Sequence, residues 1–240
     1  PRSTLFPYTT LFRSRIISIC NSLVDFKQVY ENLKPAEHVF HAVGVSPSEV
    51  ANPGRDWQST IEEAVKLPRV IALGEIGLDY FHKYGDRRSQ IELFIEQLEI
   101  ATRLDLPVII HNREAGKDVL EVLRDRIPPS GAVLHCYSEN AEYADRVLSA
   151  GLNVYFSFAG NLTYRNARNL HETVSMLPYD RILVESEAPF MVPAEYRGKR
   201  NKPEYLPSTA WFLSEILQMD PEEAAEMTYQ NACRFFKLEP

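Results

Sequence analysis

Short apolar runs alternate with longer amphipathic stretches along the chain from Arg15 onward. Apolar runs of this kind are typical of strands, and the amphipathic stretches between them are typical of helices. The runs that we interpret as strands lie near Ile16–Ile19, Val39–Val45, Val70–Gly74, Val108–His111, Ala132–Cys136, Asn153–Phe158 and Arg181–Glu185. Strands that alternate with helices in this way predict a parallel sheet with crossover helices.

The clearest helical stretch is Asp86–Leu104, which places Ile91, Phe94, Ile95, Leu98 and Ala101 on one predicted face. The final helix has Asp220 as its N-cap, Pro221 at its first position and Glu223 in place for a capping box. This final helix is predicted near Pro221–Phe236, and the other predicted helices lie near Leu23–Leu33, Trp57–Leu67, Glu114–Arg126, Asn140–Ala150, Ala167–Met176 and Ser208–Gln218.

Seven strand–helix units are one fewer than a closed (β/α)8 barrel requires. We therefore predict an α/β fold, a TIM barrel of the metal-dependent hydrolase type whose first βα unit is missing. An open, doubly wound sheet is the alternative. No linker or low-complexity tract interrupts residues 15–240, so we expect them to form a single domain.

The first fourteen residues, Pro1–Ser14, differ in character from the rest. They contain no Met and no acidic residue, and the triplet Thr-Leu-Phe occurs twice. The segment resembles translated sequencing adapter, and a transit peptide is the alternative. We interpret it as a non-native leader and expect it to be poorly ordered.

The composition narrows the class of protein further. The chain has 240 residues, is 45% hydrophobic and carries a net charge of −7. No window of 18 consecutive apolar residues is present, which excludes a membrane-spanning helix. Cys20, Cys136 and Cys233 are widely spaced and odd in number, so they indicate a reducing compartment and not a disulfide framework. We expect a cytoplasmic monomer without membrane association.

Residues that can bind a metal occur at the ends of four predicted strands. Glu75 follows the third strand, His111 ends the fourth, His135 is near the end of the fifth, and Glu185 and Glu187 follow the seventh. Active sites of barrel enzymes lie at the carboxyl ends of their strands. Burying these groups together without a cation would be costly, and mixed His and carboxylate ligands suit Zn²⁺ or Mn²⁺, with Mg²⁺ also accommodated. His38, His41 and His171 are interpreted as surface or packing residues.

Several long motifs resemble the TatD family of metal-dependent deoxyribonucleases, within the amidohydrolase-like barrels. They are GEIGLDYF at Gly74–Phe81, LPVIIHNREA at Leu106–Ala115, LHCYS at Leu134–Ser138, VESEAPF at Val184–Phe190, RGKRNKPEYLP at Arg197–Pro207, and Asn231-Ala232 followed by Phe235-Phe236. The resemblance extends over essentially all of Arg15–Pro240.

The resemblance implies a role for each matching residue. Glu75 matches the carboxylate that bridges two divalent ions, which are Mg²⁺, Mn²⁺ or Zn²⁺, and His111 and His135 match ligands of one of these ions. Glu187 occupies the position of a family Asp that binds metal and accepts a proton. The family's His-x-His pair occurs nowhere in the chain, and Ser46 stands where the family commonly has a His. We therefore expect at most weak nuclease activity from this chain.

Other residues are candidates for binding a substrate. Arg113 and Glu187 are the predicted catalytic residues, since Arg113 can hold a phosphate through its bidentate guanidinium, although a salt bridge to a neighbouring acid is equally open. His82 is a candidate substrate contact. Tyr80, Phe81 and Tyr84 can either stack on an unpaired base or pack at the rim of the site. The candidate phosphate-binding residues within six positions are Arg197, Lys199, Arg200 and Lys202.

These features predict a metal-dependent hydrolase that cleaves phosphodiester bonds of DNA. A site at the mouth of a barrel favours single strands or strand ends, because an intact duplex cannot enter a narrow pocket. The resemblance implies 3′–5′ exonuclease behaviour. One alternative is an ester or amide hydrolase with the same metal ligands, and another is a non-catalytic barrel that binds nucleic acid or a protein partner.

Overall fold

A computed structural model describes residues 15–239, and within this range seven strands form one sheet in the order β1-β2-β3-β4-β5-β6-β7. The strands are β1 Ile16–Ile19, β2 Val39–Val43, β3 Val70–Asp79, β4 Val108–Arg113, β5 Ala132–Leu134, β6 Val154–Phe158 and β7 Ile182–Val184. All seven predicted strands are confirmed. The predicted leader, Pro1–Ser14, lies outside the described residues, as does Pro240.

Eight α-helices alternate with these strands or follow them in the described chain. They are α1 Leu23–Leu33, α2 Trp57–Ala64, α3 Arg87–Arg103, α4 Gly116–Arg126, α5 Ala141–Ser149, α6 Arg168–Met176, α7 Leu206–Leu217 and α8 Pro221–Phe235. The predicted N-cap of the last helix is confirmed, because the Asp220 side chain accepts a hydrogen bond from the backbone N–H of Glu222 at 2.8 Å. No helix among the described residues is long and apolar enough to cross a membrane.

The order of the strands distinguishes the two predicted fold classes. Each strand neighbours the next one in sequence, and the described pairs are parallel, as in β1–β2, β3–β4 and β6–β7. A doubly wound sheet would reverse its strand order at a switch point, whereas a (β/α) barrel adds strands in sequence. The chain therefore has the α/β architecture of a TIM-barrel hydrolase, and the doubly wound alternative is wrong.

The described chain falls into two compact units. The first comprises Arg15–Leu134 and Ala150–Val154, and the second comprises His135–Ser149 and the residues from Tyr155 onward. The expectation that residues 15–240 form one domain stays a prediction.

In the first unit, β3 differs from its predicted length. The apolar pattern predicts an end at Gly74, but the strand continues to Asp79, so Glu75 lies inside β3 and does not follow it. The pairing of β3 with β4 shifts register between Leu73 and Ile76, which allows the strand to continue past the irregularity. The strand end beside β4 is therefore Asp79, which pairs with Arg113.

The long helix α3 also packs differently from its predicted face. Phe94, Leu98 and Ala101 are buried as predicted, but Ile91 and Ile95 are only partly buried. Two polar residues, Gln90 and Gln97, are buried in their place. Hydropathy alone could not predict this burial, because the glutamines form hydrogen bonds to backbone atoms of Asp79, at the end of β3, and of Val45, after β2.

The second unit has an aromatic core. The Tyr137 ring contacts those of Phe156 and Phe158, with centroids 5.4 Å and 5.8 Å away.

The buried Asn231 of α8 donates hydrogen bonds to the carbonyls of Tyr179 at 2.7 Å and Ile182 at 2.9 Å, which ties the last helix to the start of β7.

Candidate functional site

In the first unit, four side chains on β3, on β4 and in the turn after β3 form a hydrogen-bonded chain, which we call the strand group: Glu75, Asp79, His82 and His111. The His111 Nδ1 lies 2.5 Å from a Glu75 carboxylate oxygen, and its Nε2 lies 3.0 Å from Asp79 Oδ2. The same Asp79 oxygen lies 2.8 Å from His82 Nδ1. The imidazole of His111 is thus held between two carboxylates.

Asp79 is the buried centre of the strand group. Its Oδ1 accepts a 2.8 Å hydrogen bond from the backbone N–H of His82. Burial acts to raise the pKa of Asp79, but the hydrogen bonds from His82 and His111 outweigh it and hold the pKa below its ordinary value. Asp79 is therefore a carboxylate at neutral pH, and it fixes the orientation of the His111 ring.

Two buried glutamines of α3 hold the neighbouring strand ends in place. Gln90 accepts a hydrogen bond from the N–H of Asp79 at 2.8 Å and donates to its carbonyl at 2.9 Å. Gln97, seven residues later, makes the same pair of bonds to Val45, at 2.7 Å and 2.9 Å. Each side-chain amide replaces a strand partner, so α3 fixes the backbone that carries the site.

A close backbone contact joins β3 to β4 beside the metal-type ligands. Gly77 has φ +134°, and a Cβ added to it would lie 2.1 Å from the carbonyl oxygen of His111. Only glycine permits this approach. The spacing between Glu75 and His111 therefore depends on a residue that carries no functional group.

In the second unit, three residues form what we call the turn group: His135 after β5, and Glu185 and Glu187 after β7. Their potential ligand atoms all lie within 4.8 Å of one another. His135 Nδ1 is 3.4 Å from Glu185 Oε1 and 3.8 Å from Glu187 Oε2. Glu185 also accepts a hydrogen bond from the Cys136 N–H at 3.0 Å, which ties the two turns together.

The backbone of the turn group adopts unusual conformations. Cys136 has φ +43° and Glu187 has φ +54°, in the left-handed region that residues other than glycine rarely adopt. Such conformations persist where the surroundings hold them, and they cluster at functional sites. They aim the side chains that follow β5 and β7.

The basic loop, Arg197–Lys202, is exposed except for Asn201. The buried Asn201 side chain donates hydrogen bonds to the carbonyls of Ser186 and Phe190, and its backbone N–H donates to Pro189 at 3.1 Å. One asparagine therefore fastens the basic loop to the turn that carries Glu187. Lys202 pairs with Glu204 at 3.3 Å, and Lys199 lies 5.6 Å from the centroid of the Tyr196 ring.

The remaining predicted residues lie on or near β3 and β4. Arg113 ends β4, and its guanidinium lies 5.0 Å from the Phe81 ring centroid. Among residues 15–239 it makes no salt bridge, so the salt-bridge alternative for Arg113 finds no support. Tyr80 donates a 2.5 Å hydrogen bond to the buried Asp118, which also binds Arg87, so Tyr80 has a structural role.

Three residues with a clear role at the site were not identified from the sequence: Gln90, Gln97 and Asn201. Their amides carry no periodic signal, since their partners are backbone atoms far away in sequence. The strand-end pattern does predict Glu185, and the structure brings its carboxylate next to His135. Ser46, at the position of a family His, is buried and lies 2.5 Å from the Ser48 hydroxyl.

The donor atoms in both groups fit a divalent cation. The strand group offers a carboxylate facing an imidazole whose other nitrogen is held by Asp79, which is the usual support of a metal-binding histidine. The turn group offers one imidazole and two carboxylates within ligand distance of one another. Imidazole with carboxylate suits Zn²⁺ or Mn²⁺, and the carboxylates also suit Mg²⁺.

The chain is similar to known proteins over most of its length. Residues 13–237 match the family profile described as TatD related DNase. YabD of Bacillus subtilis strain 168, named as an uncharacterized metal-dependent hydrolase, is 33% identical over 225 residues, which is 93% of this chain and 88% of YabD. YcfH of Escherichia coli K12, which carries the same description, is 32% identical over 227 residues, covering 93% of this chain and 83% of YcfH.

A solved structure has the same fold. The crystal structure of YJJV, a TatD homolog from Escherichia coli K12, superposes with a TM-score of 0.86 at 26% identity and covers 100% of this chain and 95% of that one. This agreement supports the barrel-type architecture read from the strand order.

Proposed function

The chain belongs to the TatD family of metal-dependent hydrolases, and we propose that within this family it cleaves phosphodiester bonds of DNA, in single strands or at strand ends. The observation that carries the proposal is the basic loop, whose Arg197, Lys199, Arg200 and Lys202 are exposed on a chain of net charge −7. Asn201 fastens this loop to the Glu187 turn. A cluster of cations beside a carboxylate of the site favours a polyanionic substrate over a neutral ester or amide.

We further propose that each group binds divalent metal. Glu75 and His111 of the strand group would act as ligands, and so would His135 and Glu187 of the turn group, since each can offer one ligand atom. A bound divalent ion supplies Lewis acidity toward phosphoryl oxygens and makes water more acidic. Glu187 would accept a proton, and Asp79 would keep the His111 ring in one orientation.

The protein side chains would also orient the substrate. Arg113 has no acidic partner among residues 15–239, so its guanidinium is available to bind a phosphate through two parallel hydrogen bonds. Arg197 and Arg200 would contact flanking phosphates of the strand. The 3′–5′ direction of cleavage, and a cytoplasmic location, are further parts of this proposal that follow from the family resemblance and from the cysteine content.

The proposal is tested by release of nucleotides from single-stranded DNA, with Mn²⁺ or Mg²⁺ and then with a chelator. We expect slow, metal-dependent release that Glu75→Gln and His135→Ala each lower at least about a hundredfold. Glu142→Gln, at an exposed carboxylate of α5, is the control and should leave the rate unchanged. Release that persists in the chelator, or that survives both substitutions, would contradict the proposal.

The basic loop separates phosphodiester hydrolysis from the ester or amide alternative. The double substitution Arg197→Gln with Arg200→Gln should raise KM for a DNA strand and reduce the dependence of log KM on log salt by about 0.7 for each phosphate that the loop no longer neutralises. Hydrolysis of a small neutral ester should not change. Ester hydrolysis that exceeds DNA hydrolysis in the unmodified chain would favour the alternative.

A further inference from the structure

Three exposed rings lie in the turn after β3, and we call them the aromatic platform: Phe81, His82 and Tyr84. Phe81 is 49% exposed and Tyr84 is 36% exposed, so both rings are accessible from solvent. The His82 ring stacks on the Tyr84 ring, with centroids 5.2 Å apart and planes inclined by 23°. The Phe81 ring meets His82 edge-on at 4.8 Å.

Hydrogen bonds from buried side chains hold the aromatic platform in place. The buried Asp79 binds both the backbone N–H and the Nδ1 of His82, each at 2.8 Å. Gln90 donates to the carbonyl of Tyr84 at 3.3 Å as well as to that of Asp79. The turn between Asp79 and Tyr84 is therefore fastened at both ends, and a flat ligand would bind without the cost of ordering it.

The charge beside the platform identifies the kind of ligand. The Arg113 guanidinium lies over the Phe81 ring and has no salt-bridge partner among residues 15–239. An exposed aromatic surface flanked by an unpaired cation matches a nucleotide, in which a flat base is joined to a phosphate. Binding of a hydrophobic protein partner would not require the Arg113 cation, and binding of a phosphate alone would not require the rings of the platform.

We propose that the aromatic platform binds an unpaired nucleobase of the substrate strand by stacking, while Arg113 contacts the adjoining phosphate. This inference rests on the proposed action on nucleic acid. It assigns the preference for unpaired ends to Phe81, His82 and Tyr84, because a base within a duplex has no free face to stack on these rings. Tyr80 is not part of the platform, since its hydroxyl is bound to Asp118.

Equilibrium binding to two strands of equal length tests the proposal. One strand carries ordinary bases and the other carries abasic tetrahydrofuran units, and both are titrated in a chelator so that no hydrolysis occurs. The double substitution Phe81→Ala with Tyr84→Ala should weaken binding of the ordinary strand by about tenfold to a hundredfold. Binding of the abasic strand should change less than about twofold, because only the phosphate contacts remain.

Matched variants distinguish the loss of stacking from a general disturbance of the protein structure. Phe81→Tyr with Tyr84→Phe keeps two aromatic faces and should retain the affinity of the unmodified chain. Tyr179→Ala removes a ring that is 53% exposed elsewhere on the surface and should have no effect. The proposal is overturned if the double alanine variant binds the ordinary strand normally, if it loses both strands equally, or if the unmodified chain binds the two strands alike.

Failure of the platform and failure of the proposed function give different results. If the unmodified chain prefers the ordinary strand but releases no nucleotide with Mn²⁺, the platform proposal stands and the hydrolase proposal is overturned. If the unmodified chain hydrolyses DNA but binds the ordinary and abasic strands with equal affinity, the hydrolase proposal stands and the platform proposal is overturned.

Discussion

The strand group and the turn group use similar chemistry but are supported in different ways. Glu75 and His111 lie within strands β3 and β4, and Asp79 ends β3 where Gln90 binds its backbone. His135 and Glu187 lie beyond the ends of their strands, next to or within left-handed turns. The first arrangement is supported by the sheet, and the second depends on a few side-chain contacts.

This difference indicates how each group tolerates change. A residue within a sheet is held in place by the pairing and packing of its whole strand, so displacing the residue requires the strand to move. A residue in a turn is displaced when a single anchoring hydrogen bond is broken, because few other interactions define the turn. Substitutions that displace the strand group should therefore lower the free energy of unfolding more than substitutions that displace the turn group.

The largest expected effect is that of Gly77→Ala, which breaks the strand group. The added Cβ would lie 2.1 Å from the His111 carbonyl oxygen at φ +134°, so strands β3 and β4 must separate. We expect a loss of at least about 3 kcal/mol in the free energy of unfolding, measured by urea denaturation.

Gly54→Ala is the matched control for this substitution. Gly54 also has positive φ, at +93°, but no atom lies within 4 Å of its added Cβ. We expect a loss of about 1 kcal/mol from the backbone conformation alone. Equal losses at the two glycines would show that the contact with His111 does not matter.

Asn201→Ala should have the next largest effect and tests the turn group. The part-buried hydrogen bonds to the carbonyls of Ser186 and Phe190 are lost. We expect a loss of about 1–3 kcal/mol in unfolding free energy and weaker binding of single-stranded DNA, since the basic loop is released. Asn169→Ala, which removes one exposed 3.4 Å hydrogen bond, should change neither quantity.

The sequence predicts the strands better than it predicts the supports of the candidate site residues. Apolar runs locate all seven strands, and His135 directly follows β5, but His111 lies inside β4, which continues to Arg113. The extension of β3 through Glu75 was not predictable, because Gly74 and Gly77 interrupt the apolar pattern that normally marks a strand. Gln90 and Asn201 read as ordinary polar residues, since their roles depend on backbone atoms that only the fold brings near.

Substitutions of Glu187 test whether the length or the charge of its side chain matters for DNA hydrolysis. Glu187→Asp shortens the side chain to the length that the family resemblance implies, and we expect a change in DNA hydrolysis of less than about tenfold. Glu187→Gln removes the charge and the proton acceptor, and it should lower the rate by about a hundredfold or more. Similar losses for both substitutions would show that the length of the side chain matters as much as its charge.

The smallest expected effect concerns His41, which is fully buried beside Tyr30, 5.1 Å between ring centroids. Neither ring nitrogen has a hydrogen-bond partner among residues 15–239. Burial, assisted by the nearby Arg69, lowers the pKa of His41 from its ordinary value of 6.5. Below pH 6.5 the unfolded chain therefore binds a proton that the folded chain does not, so stability falls as the pH falls toward the folded pKa.

His41→Leu tests this pH dependence. The fall in unfolding free energy below about pH 6.5 should be smaller in the variant, by no more than about 1.4 kcal/mol per pH unit. The exposed His38, replaced by Leu, is the control and should leave the pH dependence unchanged. A pH profile that is identical in unmodified and His41→Leu chains would show that His41 is not the buried group that titrates.

The most direct test of the metal-binding assignment is a calorimetric titration with Mn²⁺ of the unmodified chain, His111→Ala and His135→Ala, with His38→Ala as control. If the strand group and the turn group both hold divalent metal, each alanine variant should bind Mn²⁺ at least about tenfold more weakly, and the control should bind it normally. Unchanged Mn²⁺ affinity in both variants would contradict the assignment, whatever their effect on DNA hydrolysis.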